Sequence, residues 1–297
     1  MSKPRAHHYC PEAYLAGFTE TGTKDGILWA FDRFKKEVRK SKPRNEANQK
    51  DFYKLDVKEG ADPFSAEKEF GRIESVAIKA IRHIHETLSF PLKEDLEYLV
   101  AFVGLLSVRT PGFRKQISEF NAELAKTYVG TALATEEKFK AAINRLKAEG
   151  QEVSGKVTFE DMQDFLKRGE YEVVTDKTEL VLRALKSAST ITDLLLKRDW
   201  CIVVADEGCD FVCSDNPVGI VWGDSKLNGR LSPGFGVSGT EVTVPLSKKI
   251  GLIGILETFS YRVAKLDKLG VASFNNCSVM RSKRYVNPKK NPHQMGH

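Results

Sequence analysis

The stretch LEYLVAFVGLLSV, residues 96–108, is almost wholly apolar and runs directly into Arg109-Thr110-Pro111. It is too short to cross a bilayer, which takes about 20 residues, and it carries Glu97. The stretch therefore predicts a helix buried in the core of a globular protein. Because proline disfavours the helical conformation in the residue before it, we expect this helix to end near Thr110.

A helical periodicity continues on both sides of this stretch. Apolar residues recur at intervals of three and four from Ser65 onward and stop before Phe90-Pro91, as one face of a helix requires. Residues 61–198 are therefore expected to form a central helical block. Its further helices are predicted over 93–108, 113–129, 136–150, 159–168 and 177–198.

The two ends of the chain favour strands. Residues 27–33, ILWAFDR, alternate so that Ile27, Trp29 and Phe31 share one face of a strand. After Asp199, β-branched runs such as WCIVVAD predict further strands, and residues 259–275 are expected to form a last helix. The interpretation is a single α+β domain in which a mixed or antiparallel sheet from both ends packs with the helices. Its parts are a strand-rich opening over 1–60, the helical block over 61–198 and a strand-rich closing part over 199–297.

The composition is that of a globular protein and sets few limits on function. Hydrophobic residues make up 41% and charged residues 29% of the 297 residues, and the formal net charge is +6. This mild positive excess permits an anionic partner such as nucleic acid without requiring one. The sequence has no signal-peptide core or membrane span, and its five cysteines lack CxxC spacing. We therefore expect a cytoplasmic protein with reduced thiols and no membrane association, and the oligomeric state stays open.

The string GFGVSG at residues 234–239 matches the pattern GxGxxG literally. Dinucleotide binding requires that string after a strand and at the start of a helix, whereas this one leads into the predicted strand TEVTVPL. A flexible loop is the favoured interpretation. Because loops of this kind can close over a ligand, a small-ligand sensor is a third and weaker functional hypothesis.

Two adjacent histidines lie in the aromatic opening segment RAHHYCPEAYLAGFT. Neighbouring residues of an extended segment point to opposite faces, so His7 and His8 are not expected to bind one metal together. One of them should face inward. A buried histidine bonded to a carboxylate is a common structural feature, but the same pair acts as a general base where it borders a cleft.

Other polar residues also lie in apolar surroundings. Arg109 ends the buried helix, where it can cap the last carbonyls or emerge into a cleft. Glu74 lies near the apolar face of the preceding helix and is a candidate partner for that arginine. Asp215 and Asn216 follow an apolar run, where they form either a structural turn or a rigid polar cluster available to a metal or a reacting proton.

An ordered set of short motifs runs through nearly the whole chain. The motifs are HHYCP at 7–11, LWAFDR at 28–33, DFY at 51–53, RTP at 109–111, SDNP at 214–217 and PLS at 245–247. In this order the set resembles the bacterial family described as domain of unknown function 4238. That family usually opens with H-Y-x-P-Q; here Cys10 and Glu12 depart from the pattern, whereas His8, Tyr9 and Pro11 match it. The resemblance implies a single domain and a common site for the polar motifs, but it implies no reaction.

The chemical types of the polar residues favour a hydrolytic centre. Asp215 and Glu74 are expected to hold a divalent metal such as Mg²⁺ or Mn²⁺. His8 would then activate water, and Arg109 would meet the developing negative charge. Asn216 completes the predicted catalytic set, and the hypothesis is a metal-assisted nuclease acting on DNA or RNA. A basic segment is expected to bind the anionic strand through Arg33, Lys35, Lys36 and Arg39.

The alternative is a binding or regulatory module without catalysis. In that case the same groups tie the sheet to the helices through buried hydrogen bonds, and the protein contacts another protein or nucleic acid. One observation separates the two hypotheses. If His8, Arg109 and Asp215 point into one open cleft, the enzyme hypothesis gains support; if each is sealed and locally satisfied, it loses support.

Overall fold

A computed structural model describes residues 6–56, 62–153, 157–169, 171–227, 229 and 231–287. These residues fall into two units. The larger unit draws on Met1–Arg114 and Val181–His297, and the smaller unit is Lys115–Leu180. The single domain predicted over 1–297 is not tested by this division and stays a prediction.

Helices occupy most of the middle of the chain, which confirms the predicted helical block. Short 3-10 helices lie at Ala16–Phe18, Pro43–Asn45 and Ser225–Leu227. Within the helical block, the predicted bounds of the α-helices are close to those observed. The α-helices are α1 (Glu12–Leu15), α2 (Ser65–Thr87), α3 (Lys93–Val108), α4 (Pro111–Ala132), α5 (Glu136–Ala148), α6 (Phe159–Arg168), α7 (Lys177–Leu195) and α8 (Lys268–Arg281).

Helix α3 is the buried helix that the apolar run predicts. From Leu99 to Val108 every side chain except that of Ala101 is buried. Helix α2 packs along α3 and buries one face, since its buried residues recur at helical spacing. Among the described residues no single helix is long and apolar enough to span a membrane, and α3 and α4 reach that length and composition only together, as a bent pair. The buried residues of α2 are Ala66, Phe70, Ala77, Ala80 and Ile84.

Strands from both ends of the chain form the sheets. The strands are β1 (Ala6–His8), β2 (Leu28–Asp32), β3 (Glu37–Ser41), β4 (Asn48–Lys50), β5 (Asp199–Ala205), β6 (Cys213–Ser214), β7 (Gly219–Trp222), β8 (Thr240–Pro245), β9 (Ile250–Ile255), β10 (Val263–Leu266) and β11 (Tyr285–Asn287). Strand β1 pairs with β4, and a mixed sheet has the order β10-β5-β9-β8-β7, in which β10 and β5 are parallel. An antiparallel sheet of order β3-β2-β11-β6 joins strands from the two ends, so the predicted α+β class is confirmed.

The predicted position of the last helix, 259–275, is wrong. Strand β10 occupies part of this range and pairs with β5, and α8 begins only at Lys268. Asp267 sets the boundary because its carboxylate accepts the Gly270 N–H at 2.8 Å, as an N-cap residue does. The pairing partner of β10 lies far earlier in the chain, so local periodicity does not reveal this strand.

The smaller unit is helical and has a thin core. Helix α6 starts with a capping box, in which Thr158 and Asp161 each accept the other's backbone N–H. The rings of Phe139 and Phe159 lie 6.0 Å apart. Among the residues described between 115 and 180, Phe139 is the one hydrophobic side chain that is buried.

Candidate functional site

A cleft of about 310 Å³ opens on the larger unit beside β1, α1 and α2. Its walls carry His8 and Glu12 from the opening segment, Glu74 from α2 and Arg109 from the end of α3. The structure therefore brings three of the predicted site residues together. Asp215 does not line this cleft.

Strand β1 turns its two histidines in opposite directions, as strand alternation requires. His7 is buried: its Nδ1 accepts the Tyr53 N–H at 2.8 Å, and its Nε2 lies 3.4 Å from Glu67 Oε2. An accepting Nδ1 leaves the proton of the neutral ring on Nε2, facing the carboxylate. His7 therefore anchors the opening segment in the core, and His8 is the histidine that reaches the cleft.

Both ring nitrogens of His8 face hydrogen-bond acceptors. Nδ1 lies 3.1 Å from the backbone carbonyl oxygen of Glu46, and Nε2 lies 3.1 Å from Glu12 Oε1. A neutral imidazole has one N–H, so satisfying both contacts requires a further proton on His8 or on Glu12. Burial lowers the pKa of His8 from its ordinary value, although Glu12 opposes the shift. His8 and Glu12 therefore form a pair that can share a proton at the edge of the cleft.

Arg109 is buried and connects several elements. One guanidinium nitrogen, Nη1, donates to Glu74 Oε1, and Nη2 donates to the backbone carbonyl of His8. Nε donates to Tyr53 Oη at 3.1 Å. Burial acts to lower the pKa of Arg109, but Tyr53 and Glu74 raise it above its ordinary value, so the side chain stays charged. These contacts fix the backbone of His8 against α2 and α3.

Acidic side chains slightly outnumber lysine and arginine side chains along the cleft. Glu12, Glu67 and Glu74 face Lys24 and Arg109. Glu74 is paired with Arg109, whereas the Glu12 side chain is 35% exposed. The cleft therefore suits a neutral or cationic group, and an anionic group there requires a counter-ion.

Asp215 and Asn216 lie at a different place, where β6 is followed by a turn beside the end of α8. The Asp215 carboxylate accepts the N–H groups of Lys283 and Arg284 at 2.9 and 2.8 Å. The Asn216 N–H donates to Ser214 Oγ at 3.1 Å. Asn216 is thus bonded within the turn, whereas Asp215 is bonded to the backbone that follows α8.

The predicted metal pair is not brought together, because Glu74 lines the cleft and Asp215 does not. Within the part of the chain that the structure describes, no three His, Cys, Asp or Glu side chains are grouped to hold a metal ion. A divalent cation at the cleft would therefore need ligands from elsewhere, such as substrate oxygens.

The residues predicted to bind a nucleic-acid strand lie on the hairpin of β2 and β3. They differ in the contacts that their side chains make. Arg33 donates to two backbone carbonyls near the end of α8, at 2.9 and 2.7 Å. Arg39 forms a bidentate ion pair with the buried Glu46, at 2.5 and 2.9 Å. Lys35 and Lys36 are exposed at the hairpin turn. All four residues are exposed, but the guanidinium groups of Arg33 and Arg39 are bonded to the chain itself.

The glycine-rich loop at 234–239 is anchored by a buried arginine. Arg198 donates to the carbonyls of Phe235 and Thr240 at 2.6 and 2.7 Å, and the Gly239 N–H donates to Glu257 Oε1 at 3.1 Å. The loop enters strand β8, as predicted, and not a helix. Because these bonds hold the loop, its closure over a ligand gains no support.

Three residues of the site escaped the sequence analysis: Glu12, Glu46 and Tyr53. Glu12 follows His8 by four positions, and that spacing was the available signal. Tyr53 lies in the motif DFY, whose sequence indicates no role for it, although it bonds both His7 and Arg109. Glu46 has no local signal, because its carbonyl meets His8 only after β1 pairs with β4.

Comparison with known proteins gives a family and no closer relative. No curated protein and no solved structure matches the chain significantly. A family model described as protein of unknown function (DUF4238) matches residues 6–290. The match extends over both ends of the chain and over the cleft, so the resemblance inferred from the motifs is confirmed. The chain belongs to the DUF4238 family.

Proposed function

We propose that the protein is a hydrolase in which His8 and Glu12 form the acid–base pair. The observation that carries this proposal is the 3.1 Å contact between His8 Nε2 and Glu12 Oε1 at the edge of an open cleft. Burial lowers the pKa of His8, which favours the unprotonated ring that a general base requires. The Glu46 carbonyl supports this role because it orients the ring through Nδ1.

In this proposal His8 takes a proton from a water molecule as that water attacks the substrate. The imidazolium that forms is stabilised by Glu12 and later returns the proton to the leaving group. Arg109 acts as a positioning residue, since its bond to the His8 carbonyl holds the histidine in place. Glu74 keeps the arginine charged and oriented.

The proposed substrate class is nucleic acid. The net charge of +6 and the exposed Lys35 and Lys36 favour approach of a phosphate chain. The carboxylates of the cleft would repel the same chain, so cleavage there requires Mg²⁺ or Mn²⁺. Mg²⁺ is commonly held by one or two carboxylates together with substrate phosphates, and Glu12 and Glu74 are the side chains that would supply them.

The test is hydrolysis of single- and double-stranded DNA and RNA with Mg²⁺, Mn²⁺ or a chelator, in parallel with neutral esters and amides. We expect His8→Gln and Glu12→Gln each to lower kcat by about 10²- to 10⁴-fold while the protein stays folded. The matched control is His83→Gln, because His83 is exposed on α2 and does not line the cleft. Absence of hydrolysis on every substrate, or equal rates for His8→Gln and His83→Gln, would overturn the proposal.

A non-catalytic binding module is the second candidate, and one observation favours it. Arg33, Arg39, Arg109 and Asp215 all bond to groups of the chain itself, as structural residues do. A binding module would retain nucleic acid without cleaving it. Its affinity would fall with added salt and with Lys35→Glu, and it would not respond to His8→Gln.

A further inference from the structure

A second and larger groove, of about 560 Å³, adjoins the cleft on the larger unit. Ala13 and Lys24 line both, so the groove begins where the cleft ends. Its apolar wall includes the half-buried Ile78 and Ile81 of α2 and the buried Leu246. Small-molecule sites in proteins have volumes of about 300–1,000 Å³ and mostly apolar linings. The groove has the size and the lining of such a site.

Tight packing beneath the groove fixes its shape. A side chain at Gly17 would come within 3.0 Å of the Leu246 carbonyl oxygen, so the opening segment lies directly on the end of β8. Tyr14 Oη donates to the Pro245 carbonyl at 2.5 Å in the same region. One wall of the groove is therefore built on packed core elements, and the exposed loop over residues 20–24 lines it as well.

Charged side chains stand on the rim of this apolar groove. Lys24 and Arg82 are exposed, and neither side chain forms a hydrogen bond or ion pair with the residues that the structure describes. Lys248 also lines the groove, but its Nζ donates to two backbone carbonyls at 3.3 and 3.1 Å. Glu20 and Glu86 lie on the rim as well, so cations outnumber carboxylates by three to two. Lys24 and Arg82 are the cations available to a ligand.

We propose that this groove binds a small amphipathic anion, an unbranched alkyl carboxylate. The alkyl chain would lie against Ile78, Ile81 and Leu246, where burial removes its methylene groups from water. The carboxylate would meet Lys24 or Arg82, and an arginine fork can bind a carboxylate through two parallel hydrogen bonds. Binding in this groove is a separate function from the proposed hydrolysis, because a simple carboxylate contains no bond to be hydrolysed.

Isothermal titration calorimetry with hexanoate, octanoate and decanoate tests the site. We expect affinity to rise by about fourfold for each added methylene, because each contributes about 0.8 kcal/mol when buried. Nonyltrimethylammonium has the same alkyl chain as decanoate and the opposite charge, and it should bind more weakly than decanoate.

Three variants test the contribution of the rim. At least one of the variants Lys24→Ala and Arg82→Ala should weaken decanoate binding by about five- to tenfold, since it removes the charge-assisted contact to the carboxylate. Lys79→Ala is the matched control, because Lys79 is exposed on α2 and lines neither the groove nor the cleft. The proposal is overturned if decanoate does not bind, if the cationic probe binds as tightly as decanoate, or if all three variants bind decanoate with the same affinity. None of these outcomes depends on a measured hydrolysis rate.

Discussion

At the scale of the residue, the His8–Glu12 pair sets a pH dependence that can be measured without a substrate. Burial lowers the pKa of His8 from its ordinary value of 6.5, and Glu12 opposes that shift. In an NMR titration of the ring protons, we expect a midpoint below 6.5 for His8. Glu12→Gln should lower the midpoint further, because it removes the charge that favours the protonated ring.

The same shift has a consequence for stability. The unfolded chain binds the His8 proton more readily than the folded chain does, so folding gains stability as the pH rises between the two midpoints. The contribution is complete above about 6.5 and is lost as the pH falls through the lowered pKa of the folded state. Urea unfolding of His8→Gln should lack this component. A midpoint for His8 at or above 6.5 would contradict the prediction.

At the scale of the element, Asp215 joins β6 to the turn between α8 and β11. Its carboxylate accepts two backbone N–H groups of that turn, and the residue is buried. Asp215→Ala leaves both N–H groups without this acceptor, and we expect the free energy of unfolding in urea to fall by about 3 kcal/mol. Asp215→Asn keeps an acceptor oxygen and should lose less.

Asp267→Ala is the control for the Asp215 variants. Asp267 also accepts a backbone N–H, as the N-cap of α8, but this bond is exposed, so its loss should cost about 1 kcal/mol. If Asp215→Ala were no less stable than Asp267→Ala and yet lost a hydrolytic activity, the predicted catalytic role of Asp215 would be favoured over the structural one.

These elements also show which features the sequence could predict. Helix α3 was predictable because its apolar run is local and needs no knowledge of its neighbours. The turn at Asp215 was predictable too, but its hydrogen-bond donors lie 68 and 69 residues further along the chain. A pattern that favours a turn gives no information on distant partners, so the same residues also allow the prediction of a catalytic cluster.

At the scale of the whole molecule, the two units differ in the amount of apolar surface that they bury. The larger unit contains α3, which is buried from Leu99 to Val108 except at Ala101, whereas in the described part of the smaller unit Phe139 is the one buried hydrophobic side chain. Regions with few buried apolar contacts open locally at a low free-energy cost. We therefore expect α5 and α6 to exchange their amide hydrogens at least about tenfold faster than α3.

Hydrogen exchange followed by mass spectrometry measures this difference on peptides from each helix. Helix length does not account for it, because α5 has 13 residues and α3 has 16, and both contain regular helical hydrogen bonds. The residues Val181–Leu195 of α7 are the internal control, since they belong to the larger unit and bury Val181, Ala184, Ala188 and Leu195. They should exchange slowly, as α3 does. Equal protection in α3, α5 and α6 would mean that both units unfold in one cooperative step, which would support the single domain predicted over 1–297.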